Sequence, residues 1–420
     1  MKPVLAGPVT SLPGYGKVKG KQYAGPLPVA GGGADLFFWF FESQHAPERD
    51  PVILWLNGGP GSSSFLGLFM ENGPYNLQKS ASGEVKPVDN PYSWNTSASY
   101  MIIDQPAGVG LSGISKASLY APNEQVQTYQ LYQALLQFFD RYPQYRAQDF
   151  YIFGESFAGH YIPTLATAIL DGNKNGYPRI NLRGIGVGDG WVDPLSLEAT
   201  YADYGYAHGL IDLTDKAHVE KLYRECVVAV ESTLPVPSAE SDKICERVED
   251  YIAAAAGGIN VYDVRVFGDY NFSLIQEYLD RPDVRKALHV SPDALPWVDE
   301  SPVVGALLET GEQGSTAYLF PRLFDELRVL IYNGLYDMDC NFMGTDAWLQ
   351  ALDWPFGAEF KSRRRTPWKE EGAIVGWARA AQNLTQVLVA NAGHLVPMDQ
   401  PKVALEMLDR FLTGRSFVEP

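Results

Sequence analysis

The chain has 420 residues, enough for a large core built as one big domain or two. Its 46% hydrophobic and 20% charged residues describe an ordinary globular protein, and a formal net charge of −17 sets its surface against nucleic acid and anionic membranes as partners. No apolar run reaches the roughly 18 residues of a membrane-spanning helix, and the opening stretch, 1–20, lacks the apolar centre of a signal peptide.

Short apolar segments rich in β-branched and aromatic residues predict strands at 36–41, 52–56, 100–104, 150–153, 185–187, 329–332 and 387–390. Most are apolar throughout rather than alternating, as expected when helices cover both faces of a sheet. Between them, 124–142 places Val126, Tyr129, Leu131, Leu135, Phe138 and Phe139 near a helical period and stops at Pro143. A helix is expected at 161–170 after a sharp turn, and another at 401–411 with Pro in its first turn. Alternating strand and helix predict an α/β sheet, central and mostly parallel. The character changes at 192–310, which reads as helices and loops. The expected organisation is therefore a core of 1–191 and 311–420, interrupted by a mainly helical cap at 192–310.

One segment carries chemistry. The apolar strand at 150–153 runs into Gly154-Glu155-Ser156-Phe157-Ala158-Gly159 and then a helix. This is the nucleophile-elbow context of α/β-hydrolases, in which a Ser sits on a strained turn and small neighbours let backbones pass closely. The second small residue is Ala158, followed by Gly159. The helix start also directs backbone N–H groups towards an oxyanion.

A serine hydroxyl needs a base to act as a nucleophile. Of the six histidines, His160 lies too close in sequence to reach round to Ser156, His45 precedes the sheet, and His208, His218 and His289 fall in the insertion. His394 stands in a loop after the last predicted strand and before the last helix, where the hydrolase fold places its base, and the order Ser, Asp, His fits. The acid should follow a late strand, where Asp337 and Asp339 are both available; spacing alone does not choose between them.

Several longer motifs carry a resemblance. They are Val52–Ser64, with its Asn57-Gly58-Gly59-Pro60-Gly61 loop, Glu71-Asn72-Gly73-Pro74, Asn90–Asn95, Asp104–Gly110, Gly154–Tyr161 and Gly393-His394-Leu395-Val396-Pro397. Together, in order, they resemble the serine carboxypeptidase family from about residue 20 to the C-terminus; the Gly188-Asp189-Gly190 region is most similar to its vitellogenic-like branch. The resemblance implies an α/β-hydrolase that removes C-terminal residues from peptides and proteins through an acyl-enzyme on Ser156. It makes His394 the base and Asp337 the acid, since the family's acid stands three before a Cys or other small residue, here Cys340. It places the oxyanion hole at the N–H groups of Gly59 and Phe157, in line with the general arrangement of such sites.

The same resemblance assigns recognition of the substrate's free carboxylate to Asn57, Glu71 and Glu155, with Trp55 and Gly58 in the same substrate-binding set. A carboxylic acid held protonated can donate a hydrogen bond to that carboxylate, and neighbouring carboxyls share one proton rather than both ionise. An acidic optimum follows. Leu66, Met70 and Leu395 match positions lining the leaving-residue pocket, which implies a preference for a hydrophobic C-terminal residue.

The chain departs from the family at Ser62, where relatives commonly carry a Cys bridged to the insertion. Cys226 and Cys245 could close a loop of about 20 residues, worth about 3 kcal/mol, leaving Cys340 free. No Cys/His cluster has zinc spacing, and no cofactor is expected. Sequons at Asn95, Asn271 and Asn383 allow a glycoprotein. The expected setting is secreted or vacuolar/lysosomal, as a monomer or homodimer acting on peptide or protein C-termini. Two other readings share the scaffold: an acyltransferase with the same triad, and a catalytically silent protective partner.

Overall fold

The computed structural model describes residues 5–29, 31–234, 237–308 and 311–417. Two compact units divide the chain: Met1–Gly154, Thr164–Ile185 and Asn271–Leu307 form the first, and Glu155–Pro163, Gly186–Tyr270 and Leu308–Pro420 the second.

The strands are β1 (Gly7–Leu12), β2 (Gly16–Val29), β3 (Ala34–Phe41), β4 (Val52–Leu56), β5 (Tyr75–Lys79), β6 (Val85–Asp89), β7 (Ser99–Ile103), β8 (Phe150–Ser156) and β9 (Leu182–Gly190), followed by β10 (Ile259–Asn260), β11 (Asp263–Phe267), β12 (Arg328–Gly334), β13 (Thr366–Glu370), β14 (Ala373–Ala381) and β15 (Leu384–Val389). In the first unit β1, β2, β3, β7, β4 and β8 lie side by side in that order, with the opening residues of β9 next. β4 runs parallel to both β7 and β8. All five of its residues are buried, as the unbroken apolar run required. In the second unit the rest of β9 is followed by β12, β15, β14 and β13, with β12 and β15 parallel.

The sheet is mixed rather than parallel throughout. β1, β2, β3 and β7 pair antiparallel in succession, and so do β13, β14 and β15. Antiparallel neighbours need only tight turns, whereas parallel ones need a helical crossover. β1 and β2 were not legible as strands because their outer residues are polar and exposed; β2 buries an apolar run only near its end.

Helix α1 (Glu124–Arg141) starts at Asn123, whose side chain accepts the Val126 N–H, and buries Leu131, Leu135, Phe138 and Phe139 along one face. Helix α2 (Ala158–Lys174) begins two residues after Ser156. Within 192–310, the helices Leu213–Glu231 and Ala239–Ala255 lie alongside each other and are joined by a Cys226–Cys245 disulfide. The same stretch holds the β10–β11 hairpin, a strand pair absent from the helix-and-loop reading.

Ser62 donates from Oγ to Glu300 Oε2 at 3.2 Å. Ser63 N donates to Asp299 O at 2.7 Å, Ser301 N to Gly61 O at 2.9 Å, and Trp297 Nε1 to Ser63 Oγ at 2.9 Å. Hydrogen bonds therefore fasten 297–301 to the glycine-rich loop in this chain. Of the sequons, Asn95 is buried with its amide engaged by Gln44 and Glu42, whereas Asn271 is exposed and accepts the Ser273 N–H.

Candidate active site

In the second unit, β8 ends on Ser156, whose φ of +62° lies in the left-handed region that a side chain ordinarily avoids. The turn is held from behind by Trp191 N donating to Ser156 O at 2.9 Å. A Cβ on Gly159 would come within 2.6 Å of Trp191 O, so the helix can pass here only without a side chain. Ala158 is fully buried, which accounts for a small residue two after the serine. Ser156 itself is half-buried while its flanks are covered. The His160 ring stacks on Phe157 at 4.4 Å, giving it a packing role beside the elbow.

His394 and Asp337 come together in the same unit. His394 Nδ1 lies 2.9 Å from Asp337 Oδ2, with His394 4% and Asp337 0% exposed. At this burial the pair is shielded from water, and the carboxylate fixes the imidazole's tautomer by accepting its Nδ1–H. Asp337 Oδ1 also accepts the Cys340 N–H at 3.2 Å. Asp339 points elsewhere: its Oδ2 accepts from the Cys340 thiol at 3.4 Å, and its carboxyl pairs with Glu249. Geometry thus separates two acids that spacing could not.

More carboxyls stand behind the acid. Asp189, buried and at a φ of +40°, accepts the Gly334 N–H at 2.9 Å. Burial, and then the charge of Asp337, raise it far above the usual carboxylate range, so it holds its proton. Burial likewise raises Glu249, with Asp339 the next cause.

The first unit holds the other expected residues. Asn57 is 3% exposed and fully engaged. Its Oδ1 accepts from Trp55 Nε1 at 2.9 Å and Gly67 N at 3.0 Å, while Nδ2 reaches Glu71 Oε1 at 3.4 Å. Glu71 closes a π-helical turn, Gly67–Glu71, of the kind common at functional sites. Gly58 is buried and Gly59 takes a φ of +106°; a Cβ there would meet Gly61 N at 2.5 Å. Leu66 and Met70, one turn apart, are half-buried. Met70 lines a cavity of about 310 Å³ with Phe69, Asn76, Leu77, Asn271, Leu274 and Ile275. In the second unit, Glu155 is 2% exposed beside Ser156, Phe157 is buried, and Leu395 is 8% exposed.

Asp104 was missed as a residue supporting the glycine-rich loop, although its Asp104-Gln105-Pro106 motif was noted. It accepts Ser63 Oγ–H and Ser64 N–H, both at 2.8 Å, and Leu111 N–H at 2.8 Å. Burial pushes its carboxyl up to about 7.

Comparison with known proteins agrees with this geometry. The serine carboxypeptidase family model matches residues 13–414. A serine carboxypeptidase of Dictyostelium discoideum is 35% identical, over 90% of this chain and 91% of its own. A venom serine carboxypeptidase of Apis mellifera is 34% identical, over 91% and 82%. The crystal structure of a prohormone-processing carboxypeptidase from Saccharomyces cerevisiae superposes with a TM-score of 0.83 at 24% identity, covering 94% of this chain and 92% of that one, which establishes the α/β-hydrolase fold. The chain belongs to the serine carboxypeptidase family and is a hydrolase.

Proposed function

We propose that the chain trims C-terminal residues from peptides at acidic pH, with Ser156 as nucleophile, His394 as base and Asp337 as the acid that orients it. The buried 2.9 Å contact between His394 and Asp337 supports this most strongly, together with the left-handed backbone at Ser156. His394 would take the Ser156 proton as Oγ attacks the scissile carbonyl, then return it to the leaving amine; water would repeat the cycle on the acyl-enzyme. Gly59 and Phe157 are the proposed N–H donors to the oxyanion. Asn57, Glu71 and Glu155, with Trp55 and Gly58 supporting them, are proposed to receive the substrate's terminal carboxylate. Their burial favours a neutral carboxyl that donates a hydrogen bond over a charge that would repel. Leu66, Met70 and Leu395 would favour an apolar leaving residue.

Peptides and proteins are the substrates of the family. A secreted or vacuolar/lysosomal setting is proposed, supported by the disulfide and by a relative found in venom. No helix among the described residues is long and apolar enough to cross a membrane.

Labelling with a fluorophosphonate tests the assignment. The wild type is expected to label on Ser156 alone, with His394→Ala and Asp337→Asn slowed by about a thousandfold or more. Equal labelling rates in the wild type and His394→Ala would refute it.

A further inference from the structure

The β10–β11 hairpin grips both loops that carry the acid and the base. On the acid side, Val261 O accepts Met338 N at 2.9 Å and Asp339 N at 3.3 Å, and Val264 N donates to Tyr336 O at 3.0 Å. On the base side, Tyr262 O accepts His394 N at 2.8 Å, and the Tyr262 ring lies 4.7 Å from the imidazole. The fit leaves no slack: a Cβ on Gly393 would meet Tyr262 O at 2.5 Å and Asp263 Cβ at 2.8 Å. The hairpin therefore sets the spacing between two loops that enter from different strands, β12 and β15.

One side chain ties the three pieces together. The Arg265 guanidinium forks onto its own hairpin, to Asp263 Oδ1 at 2.8 Å and Oδ2 at 2.6 Å. It reaches the base loop through Asn391 O at 2.9 Å and Asp399 Oδ2 at 2.8 Å. Asp399 Oδ2 in turn accepts the N–H of Gly393, next to His394, at 2.7 Å. The cation also sits 4.7 Å over the ring of Tyr336, next to Asp337. The cation faces two carboxylates, Asp263 and Asp399, and only a planar fork with several fixed donors can make all these contacts.

We propose that Arg265 is a positioning residue that sets the Asp337–His394 pair in register from the insertion hairpin. This rests on the reading of those two residues as acid and base. A shift of about 1 Å in a catalytic pair costs on the order of a hundredfold in rate, which sets the expected size.

The experiment compares the wild type, Arg265→Ala, Arg265→Lys and His394→Ala in hydrolysis of a blocked dipeptide and in fluorophosphonate labelling. Arg265→Ala should lose about 10- to 100-fold in kcat and in labelling rate alike, with KM within about threefold. Arg265→Lys, which keeps the charge but not the fork, should fall between; it also serves if the alanine variant fails to fold. Added methylguanidinium should restore part of the alanine variant's rate. Unchanged kcat and labelling in either Arg265 variant, or a rise in KM alone, would overturn the proposal. Labelling of His394→Ala at the wild-type rate would instead mark failure of the triad reading, so the two failures are distinguishable.

Discussion

Replacing Glu198 by Gln should flatten the fall in stability between about pH 5 and 8. Glu198 is 3% exposed. Its Oε1 accepts Gln313 Nε2–H at 3.0 Å, and its Oε2 lies 2.9 Å from Cys226 Sγ. That sulfur is in the disulfide and has no hydrogen, so any hydrogen bond at this contact is donated by the carboxyl. Burial pushes Glu198 from 4.5 up to about 8. A carboxyl raised on folding stabilises the protein fully below its unfolded value and loses that contribution as pH climbs through the folded one. At about 1.4 kcal/mol per unit, the contribution lost between pH 5 and 8 comes to about 4 kcal/mol. Gln keeps the acceptor for Gln313 and offers an N–H in place of the O–H, so the two proteins should agree within about 1 kcal/mol at pH 5. Urea unfolding in a Ser156→Ala background, which prevents self-digestion, measures both. The Glu198 protein should become the less stable by up to about 4 kcal/mol at pH 8. Equal losses in both proteins would refute the reasoning, since Asp35, raised to about 6, and Asp104, raised to about 7, contribute the same slope to each.

Peptidase KM should rise with pH as the carboxyls proposed to receive the substrate's terminus lose the proton they would donate; a flat KM from about pH 4 to 8 would remove Glu71 and Glu155 from that role. Gly67→Ala would place a Cβ 2.0 Å from Trp55 Nε1 and 2.9 Å from Asn57 Oδ1. It should cost about 1–3 kcal/mol in denaturant unfolding and raise KM more than it lowers kcat, because the displaced bonds hold Asn57 towards Glu71.

What could be read from the sequence was local. Ser156 was legible because its requirements fit within a few residues: an apolar strand, a serine and small neighbours before a helix. His394 followed from chain order. Asp337 and Asp339 were inseparable by spacing because both stand in the same loop; only the fold shows one carboxyl on the imidazole and the other turned to Cys340 and Glu249. The hairpin bearing Tyr262 and Arg265 went unread although Val264, Val266 and Phe267 are strand-forming residues, because β10 has only two residues and β11 five, too short a pair to stand out within a stretch of helices and loops. Cys226 and Cys245 were legible as a candidate pair closing a short loop, and they do pair; sequence alone left the bridge open because it depends on how the two consecutive helices that carry them lie against each other. Asp189 and Asp104 belong to the same class. Their motifs were visible, but a carboxyl's protonation depends on burial and on neighbours brought in from distant strands.

The most direct test of carboxypeptidase action at Ser156 is mass spectrometry of one peptide offered in two forms, with a free C-terminus and with a C-terminal amide, near pH 5. The wild type should shorten the free-acid form stepwise from its C-terminus and leave the amide nearly untouched, and Ser156→Ala should cut neither. Internal cleavage, equal trimming of both forms, or trimming by Ser156→Ala would contradict the account.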